Sequence, residues 1–354
     1  MYKKLLFILP YVLLCTLAHA QLPPAAQILY DSAYAQDPNL ITYASNNGAQ
    51  VMATPDGNSF YVQWFPVGAD PDSTPVIVTL HGSQCNAFME FQSWFPQAQL
   101  HGCGIISFQW YRYVQSPPND YFADSTLYMY IDSALSNISY PSNKALLHGF
   151  SRGSARSYAM IFLDIQSGNN YFCTTISNAG DANLGYPLYN DIDNGVYGSN
   201  VFAGKRWNLF CGGQDQIVGC GPMNATETWL QGQGAIVDIF IQDPALDHDG
   251  FQLQSSFAYK DSILNKYLEC YNGTSDVNDV ISESDVRIFP NPSSGKFTIS
   301  NMTPTSQVTI TDIAGRVLIQ TTSKEIDLSG YGVGMYFLTF DTDSGTVTRP
   351  IVID

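Results

Sequence analysis

Residues 145–155 read ALLHGFSRGSA, an apolar run followed by Gly149-Phe150-Ser151-Arg152-Gly153 and then by small residues. The run has the length of a strand, and the stretch from Ser154 to Ile165 has the length of a helix. The chain must therefore turn sharply from strand to helix at Ser151. A serine at such a turn projects from a strained backbone whose close neighbours have almost no side chain, which leaves its hydroxyl open to a substrate. Spacing alone makes this pattern a weak signal in a chain with 28 glycines; the flanking strand and helix give it meaning.

The same alternation continues on both sides. Ala49–Ala53 and Phe60–Phe65 flank the turn Pro55-Asp56-Gly57-Asn58 and read as a hairpin. Val76–Leu80, Gly104–Trp110, Ala145–His148, Cys173–Ser177, Trp207–Cys211 and Ala235–Gln242 are then apolar runs of strand length. Between them lie helix-length stretches at Phe88–Leu100, Ser125–Leu135, Ser154–Ile165, Pro222–Gln231 and Phe251–Tyr267. An antiparallel start followed by repeated strand-helix units predicts an α/β fold, a mostly parallel sheet with helices on both faces.

A serine hydroxyl is a poor nucleophile at neutral pH and needs a base. Of His81, His101, His148 and His248, only His248 follows the last strand of the sheet, in Asp247-His248-Asp249-Gly250-Phe251. The base in turn needs a carboxylate to fix its tautomer. Asp215 leaves the strand Trp207–Cys211 in Gly212-Gly213-Gln214-Asp215, and Asp181 leaves the preceding strand in Asn178-Ala179-Gly180-Asp181. Both lie where catalytic groups collect, at the C-terminal ends of parallel strands. Asp215 is the favoured acid and Asp181 the alternative. Acyl transfer also needs donors aimed at the oxyanion. The backbone N–H of Arg152 is one, and the loop His81-Gly82-Ser83-Gln84 offers the second from Ser83 or Gln84, with His81 as a prop. No Cys/His spacing suggests a metal, and no glycine loop for phosphate appears, so neither a metal nor a cofactor is expected.

Residues 40–270 resemble the α/β-hydrolase superfamily in the segments VIVTLHGS, LLHGFSRGSA, LFCGGQDQIVG and DHDGF. The resemblance implies a cofactor-free esterase, lipase, thioesterase or peptidase. Acting on a small-molecule or polymer ester, such an enzyme would use Ser151, Asp215 and His248. A non-catalytic adhesion or glycan-binding protein on the same scaffold is the reading from another class.

Beyond Cys270 the composition changes. Residues 271–285 read YNGTSDVNDVISESD, a polar and acidic linker, and residues 286–354 hold about seven short alternating runs separated by turn residues. A small immunoglobulin-like β-sandwich is expected there. The segments VRIFPNPSSGKFTI, VTITDIAGRVL, IDLSGYGVGMYFLTF and TRPIVID resemble the C-terminal sorting domain of the type IX secretion system, which implies a secretion machinery as partner of residues 286–354.

The other end of the chain agrees. Lys3 and Lys4 precede an apolar run from Leu5 to Leu17 and then Ala18-His19-Ala20, the pattern of a signal peptide over residues 1–20. The run is short of the ~20 residues needed to span a bilayer. The catalytic domain is then expected over residues 21–270, secreted or at the cell surface, with no membrane span in the mature chain. The net charge of −16, or −18 without Lys3 and Lys4, disfavours nucleic acid and anionic lipid and suits a neutral or cationic substrate. The six cysteines remaining after Cys15 suit an oxidising compartment, with Cys211–Cys220 and Cys85–Cys103 as the expected pairs.

Overall fold

A computed structural model describes residues 22–114, 120–273, 288–289, 293–299, 307–312, 316–332, 334–342 and 345–353. The expected signal peptide and most of the expected linker lie outside these residues. The chain divides into two compact units, residues 1–275 and 276–354.

The first unit opens with two helices that the sequence reading did not anticipate, α1 (Pro24–Gln36) and α2 (Pro38–Asn46). Each places a proline in its first turn, where the missing N–H has no partner to lose. Asp37 ends the first and caps the second by accepting the Asn39 N–H at 2.9 Å. There follow β1 (Gln50–Ala53), β2 (Phe60–Trp64), β3 (Val76–Leu80), α3 (Ala87–His101), β4 (Gly104–Phe108), α4 (Asp124–Asn137), β5 (Ala145–Phe150) and α5 (Arg152–Ser167). The unit ends with β6 (Phe172–Asn178), α6 (Pro187–Asp193), β7 (Arg206–Gly212), α7 (Cys220–Gly232), β8 (Ile236–Asp243) and α8 (Phe257–Asn272).

The eight strands form one sheet in the order β1-β2-β4-β3-β5-β6-β7-β8. The first two are antiparallel to their neighbours, and β4 through β8 run parallel. Helices α4 to α7 cover one face and α1, α2, α3 and α8 the other, each over its own apolar cluster. In β3, Val76, Val78 and Leu80 enter the first cluster and Ile77 the second. A strand buried on both sides has no solvent-facing side, which is why these runs are mostly apolar and Thr79 donates its hydroxyl to Ser107.

Two disulfides close the unit. Cys211–Cys220 joins the end of β7 to the start of α7, as expected. Cys173–Cys270 ties β6 to α8 across 97 residues, a pairing the sequence did not reveal. The expected Cys85–Cys103 bond is not formed: both thiols are free. These cysteines flank α3, whose 15 residues hold them on the order of 20 Å apart, far beyond the ~7 Å between Cα atoms that a disulfide tolerates. Because its loop is long, Cys173–Cys270 restrains the unfolded chain most. Replacing both cysteines with alanine is expected to lower the unfolding free energy by about 2–5 kcal/mol, read from urea titration at unchanged buffer.

A buried polar network joins α3 and α8. Lys260 Nζ donates to the Ser93 carbonyl at 2.7 Å and to Ser93 Oγ at 2.8 Å, among the rings of Trp94, Phe251 and Phe257. Ser93 Oγ also bonds Gln252, whose amide donates to the buried Glu90. Burial pushes the Lys260 ammonium down to about 7, with Glu90 opposing. The folded state thus favours neutral lysine while the unfolded chain still binds the proton, so the penalty is full below pH ~7 and relaxes as pH rises. Stability of the wild type is expected to climb between pH 7 and pH 9 by up to about 1.4 kcal/mol per unit, and that slope to be absent in Lys260→Met, measured by urea unfolding at each pH.

The second unit holds β9 (Ile288–Phe289), β10 (Lys296–Ile299), β11 (Val308–Asp312), β12 (Val317–Thr321), β13 (Glu325–Asp327), β14 (Gly334–Thr342) and β15 (Gly345–Ile353). They pair antiparallel in two sheets, β13-β10-β9 and β12-β11-β14-β15. Phe297, Ile299 and Ile326 from one sheet meet Val308, Ile310, Leu338 and Ile351 from the other in a single core. Inward Val308 and Ile310 alternate with Thr309, the pattern of a small sandwich.

Candidate active site

Strand β5 delivers Ser151 to the C-terminal rim of the sheet. Ser151 has φ 52° and ψ −116°, a costly backbone for a residue with a side chain, and it immediately precedes α5. Its N–H is held by the Asn178 carbonyl of β6 at 2.8 Å. The flanking glycines are dictated by contact. A Cβ on Gly149 would lie 2.3 Å from the Gly153 carbonyl oxygen, and one on Gly153 would lie 2.1 Å from that of Leu80. The strand, the turn and the helix can close on one another only if both side chains are missing.

Three of the residues singled out by sequence meet at this point. Ser151 Oγ lies 2.9 Å from His248 Nε2, and His248 Nδ1 lies 2.8 Å from Asp215 Oδ2. With Nδ1–H donated to the carboxylate, Nε2 keeps its lone pair for the serine proton. Asp215 is itself pinned, for its Oδ1 accepts the N–H groups of Ile217 at 2.7 Å and Val218 at 3.1 Å. Burial pushes its carboxyl pKa up, but the bonds from His248 and from those two N–H groups outweigh it and leave the group below the usual carboxylate range. It is therefore ionised at neutral pH. Asp181 is not brought into this line: the imidazole bonds Asp215, and among the described residues no hydrogen bond joins Asp181 to His248. Phe150, which the sequence reading did not single out, packs its ring against His248 with centroids 5.2 Å apart.

The loop after β3 borders the serine. A Cβ on Gly82 would lie 3.3 Å from that of Ser151. Arg152 begins α5, so its N–H is among those a helix start leaves unpaired, and among the described residues no acceptor takes it. Ser83 is exposed, and its N–H is likewise unclaimed. Gln84 differs: its N–H donates to Tyr121 Oη at 2.9 Å. His81 is wholly buried; its Nδ1 bonds the Gly82 carbonyl at 2.8 Å and its Nε2 takes the Trp110 N–H at 3.3 Å. Burial pushes its pKa down to about 4, so it stays neutral and holds the loop as a prop. His148 is buried between Trp94, Glu90 and Asn178, and His101 pairs with Asp261 near the surface. Neither reaches Ser151.

A cleft of about 720 Å³ opens beside these groups. Three of its walls are chain neighbours of the site: Phe150 precedes the serine, Asp249 follows the histidine and Cys85 follows Gln84. Leu40, Tyr43, Met89, Leu253 and Phe257 make it largely apolar, and Asp37, Glu90 and Asp249 are its charged lining residues. Burial, with Glu90 and Asp249, pushes the Cys85 thiol up to about 12, which rules it out as a nucleophile near neutrality. The aromatic residues after β4 are mostly core: Trp110, Tyr111, Tyr121, Tyr128 and Tyr130 are all buried.

A fungal esterase from Rhizomucor miehei superposes with a TM-score of 0.52 at 10% identity, covering 71% of this chain and 92% of its own. The fold is the α/β-hydrolase fold. An esterase of the archaeon Pyrobaculum calidifontis aligns with a TM-score of 0.48 at 13% identity, over 70% of this chain and 94% of its own. No curated protein matches the sequence. Residues 287–354 match the family described as the secretion system C-terminal sorting domain. The α/β-hydrolase unit is thus joined to a type IX export signal, and the protein is exported to the cell surface or beyond it. Among the described residues no helix is long and apolar enough to cross a membrane.

Proposed function

We propose that this protein is a secreted serine hydrolase that cleaves carboxylic esters through an acyl-enzyme on Ser151. The observation that carries the reading is the continuous line from Ser151 Oγ through both nitrogens of His248 to Asp215. His248 Nε2 takes the serine proton as Oγ attacks the carbonyl, and Asp215 supports the imidazolium that forms. The N–H of Arg152 and one from the loop after β3 receive the oxyanion, each donor worth roughly 2.7–4 kcal/mol of barrier. His248 then returns the proton to the leaving alcohol, and the same base activates water to release the acid.

The apolar cleft with Asp37, Glu90 and Asp249 fits a neutral or cationic ester better than an anionic one. Export supports an extracellular substrate, small or polymeric, and residues 286–354 would engage the secretion machinery. The test is a reporter panel offered to the purified protein: p-nitrophenyl and feruloyl esters beside matched p-nitroanilides. Ester turnover should exceed amide turnover by at least about 10²-fold, a barrier difference of roughly 2.7 kcal/mol. Equal or faster amide cleavage would make it a peptidase. Failure of a fluorophosphonate probe to label Ser151 would leave a binding protein.

A further inference from the structure

The oxyanion loop carries a non-glycine residue in the left-handed region, Gln84 at φ 59°. Left alone, such a backbone drifts back to ordinary φ values, because its Cβ crowds the following carbonyl. Here both of its peptide groups are gripped from remote parts of the chain. Tyr121 Oη takes the Gln84 N–H at 2.9 Å, and Gln36 Nε2 donates to the Gln84 carbonyl at 2.8 Å. Each grip is anchored in turn. Gln36 Oε1 accepts from Asn86 at 2.9 Å and from Tyr113 Oη at 3.1 Å. The Tyr121 ring lies against Trp110, with centroids 4.6 Å apart, and carries the Arg152 guanidinium 4.1 Å from its own centroid. Tyr121 thus touches both sides of the oxyanion site, the loop after β3 and the residue that follows the nucleophile.

We propose that Tyr121 and Gln36 are positioning residues that clamp Gln84, turn its N–H away from the reaction and leave the Ser83 N–H as the second oxyanion donor. The proposal rests on Ser151 being the nucleophile. An N–H has a single proton to give, so the one held by Tyr121 cannot also face the oxyanion. Of the two candidates Ser83 and Gln84, Ser83 remains, and it adjoins Gly82, whose Cβ position would lie 3.3 Å from the Ser151 Cβ.

If the clamp matters, loosening it lets the donor move, and displacement of about 1 Å costs on the order of 10²-fold in rate. Tyr121→Phe keeps the ring and its stacking but removes the acceptor. Gln36→Ala removes the other grip at an exposed position where folding is not at stake. Each is expected to lower kcat on a p-nitrophenyl ester by about 10- to 100-fold, with KM within twofold and the thermal midpoint unchanged. Adding Gln84→Gly should recover several-fold of the lost kcat, because glycine holds the left-handed turn without a grip. A purely structural role would move the midpoint and would not be rescued by that glycine. Should Tyr121→Phe fail to fold, Gln36→Ala decides alone.

The proposal is overturned if kcat in the clamp variants stays within twofold of wild type, or if KM rises in step with the loss. Those outcomes leave the hydrolase reading intact so long as wild-type Ser151 labels with fluorophosphonate and turns over ester. If wild type does neither, the hydrolase reading itself fails.

Discussion

Replacing Ser151 with alanine should reduce ester turnover by roughly 10⁴- to 10⁶-fold in kcat while KM changes only a few-fold. The reasoning is local. The hydroxyl is the one group in the line proposed to form the acyl bond, whereas the walls of the neighbouring cleft proposed to hold substrate, among them Leu40, Tyr43, Phe150 and Phe257, are untouched by its loss. His248→Ala should cost about as much, because a serine with no base within reach keeps its proton. Since the two act as one unit, the double variant should be hardly worse than either single one. Initial rates on a p-nitrophenyl ester over a range of substrate concentrations separate kcat from KM. Fluorophosphonate labelling gives an independent reading that should vanish in Ser151→Ala. Retention of more than about a tenth of wild-type kcat in that variant would mean that another group performs the chemistry.

Most of the strands could be read from the sequence because burial leaves them little latitude. A strand covered on both faces is apolar on both, so Val76–Leu80, with Thr79 its one polar residue, and Ala145–Leu147 stand out without any periodicity argument. In the C-terminal unit the opposite pattern, alternation, marks the same elements for a sheet with one dry face. What escaped were elements whose signals are faint. Helix α1 buries only Ala26, Leu29 and Ala33, a stripe too slight to stand out, and has no acid in its first turn or base in its last. Helix α6 is short and acidic around Asp191-Ile192-Asp193, which gives no helical apolar stripe in sequence, yet Tyr189 and Ile192 are buried on the α4–α7 face. The apolar pattern predicts the final helix from Phe251, but residues 250–252 and 254–256 form short 3₁₀ turns before α8 begins at Phe257.

The site divides the same way. The proposed nucleophile, base and acid each sit just beyond a strand, so chain order and strand ends suffice to nominate them. The groups that hold them do not announce themselves. The Asn178 carbonyl, the Ile217 and Val218 N–H groups and the grips of Gln36 and Tyr121 act through the backbone or from distant segments. A main-chain partner leaves no trace in residue identity. The one local hint is Asp215 two and three residues before the N–H groups it accepts, a side-chain turn that aspartate favours. The cysteines show the limit of spacing as a guide. Nine residues across a tight loop allowed Cys211 to reach Cys220, whereas the span from Cys85 to Cys103 is filled by a rigid helix.

Asp215→Asn should lower kcat by about 10³- to 10⁴-fold, with Asp181→Asn within about threefold of wild type. The size of the first effect follows from which atom of the new amide would face the imidazole. Asp215 Oδ1 accepts two backbone N–H groups, from Ile217 and Val218, and only an oxygen can occupy that position. The amide nitrogen introduced by Asp215→Asn is therefore forced into the place of Oδ2, 2.8 Å from His248 Nδ1. A donor there makes Nδ1 the acceptor and moves the ring proton to Nε2, where it points at Ser151 and blocks deprotonation. The ring stays in place but carries the wrong tautomer, so KM should hold while kcat collapses. Asp181 has no such bond to lose, and its amide should be tolerated. Parallel kinetics on the two variants decide the assignment: a collapse in Asp181→Asn with Asp215→Asn near wild type would reverse the choice of acid.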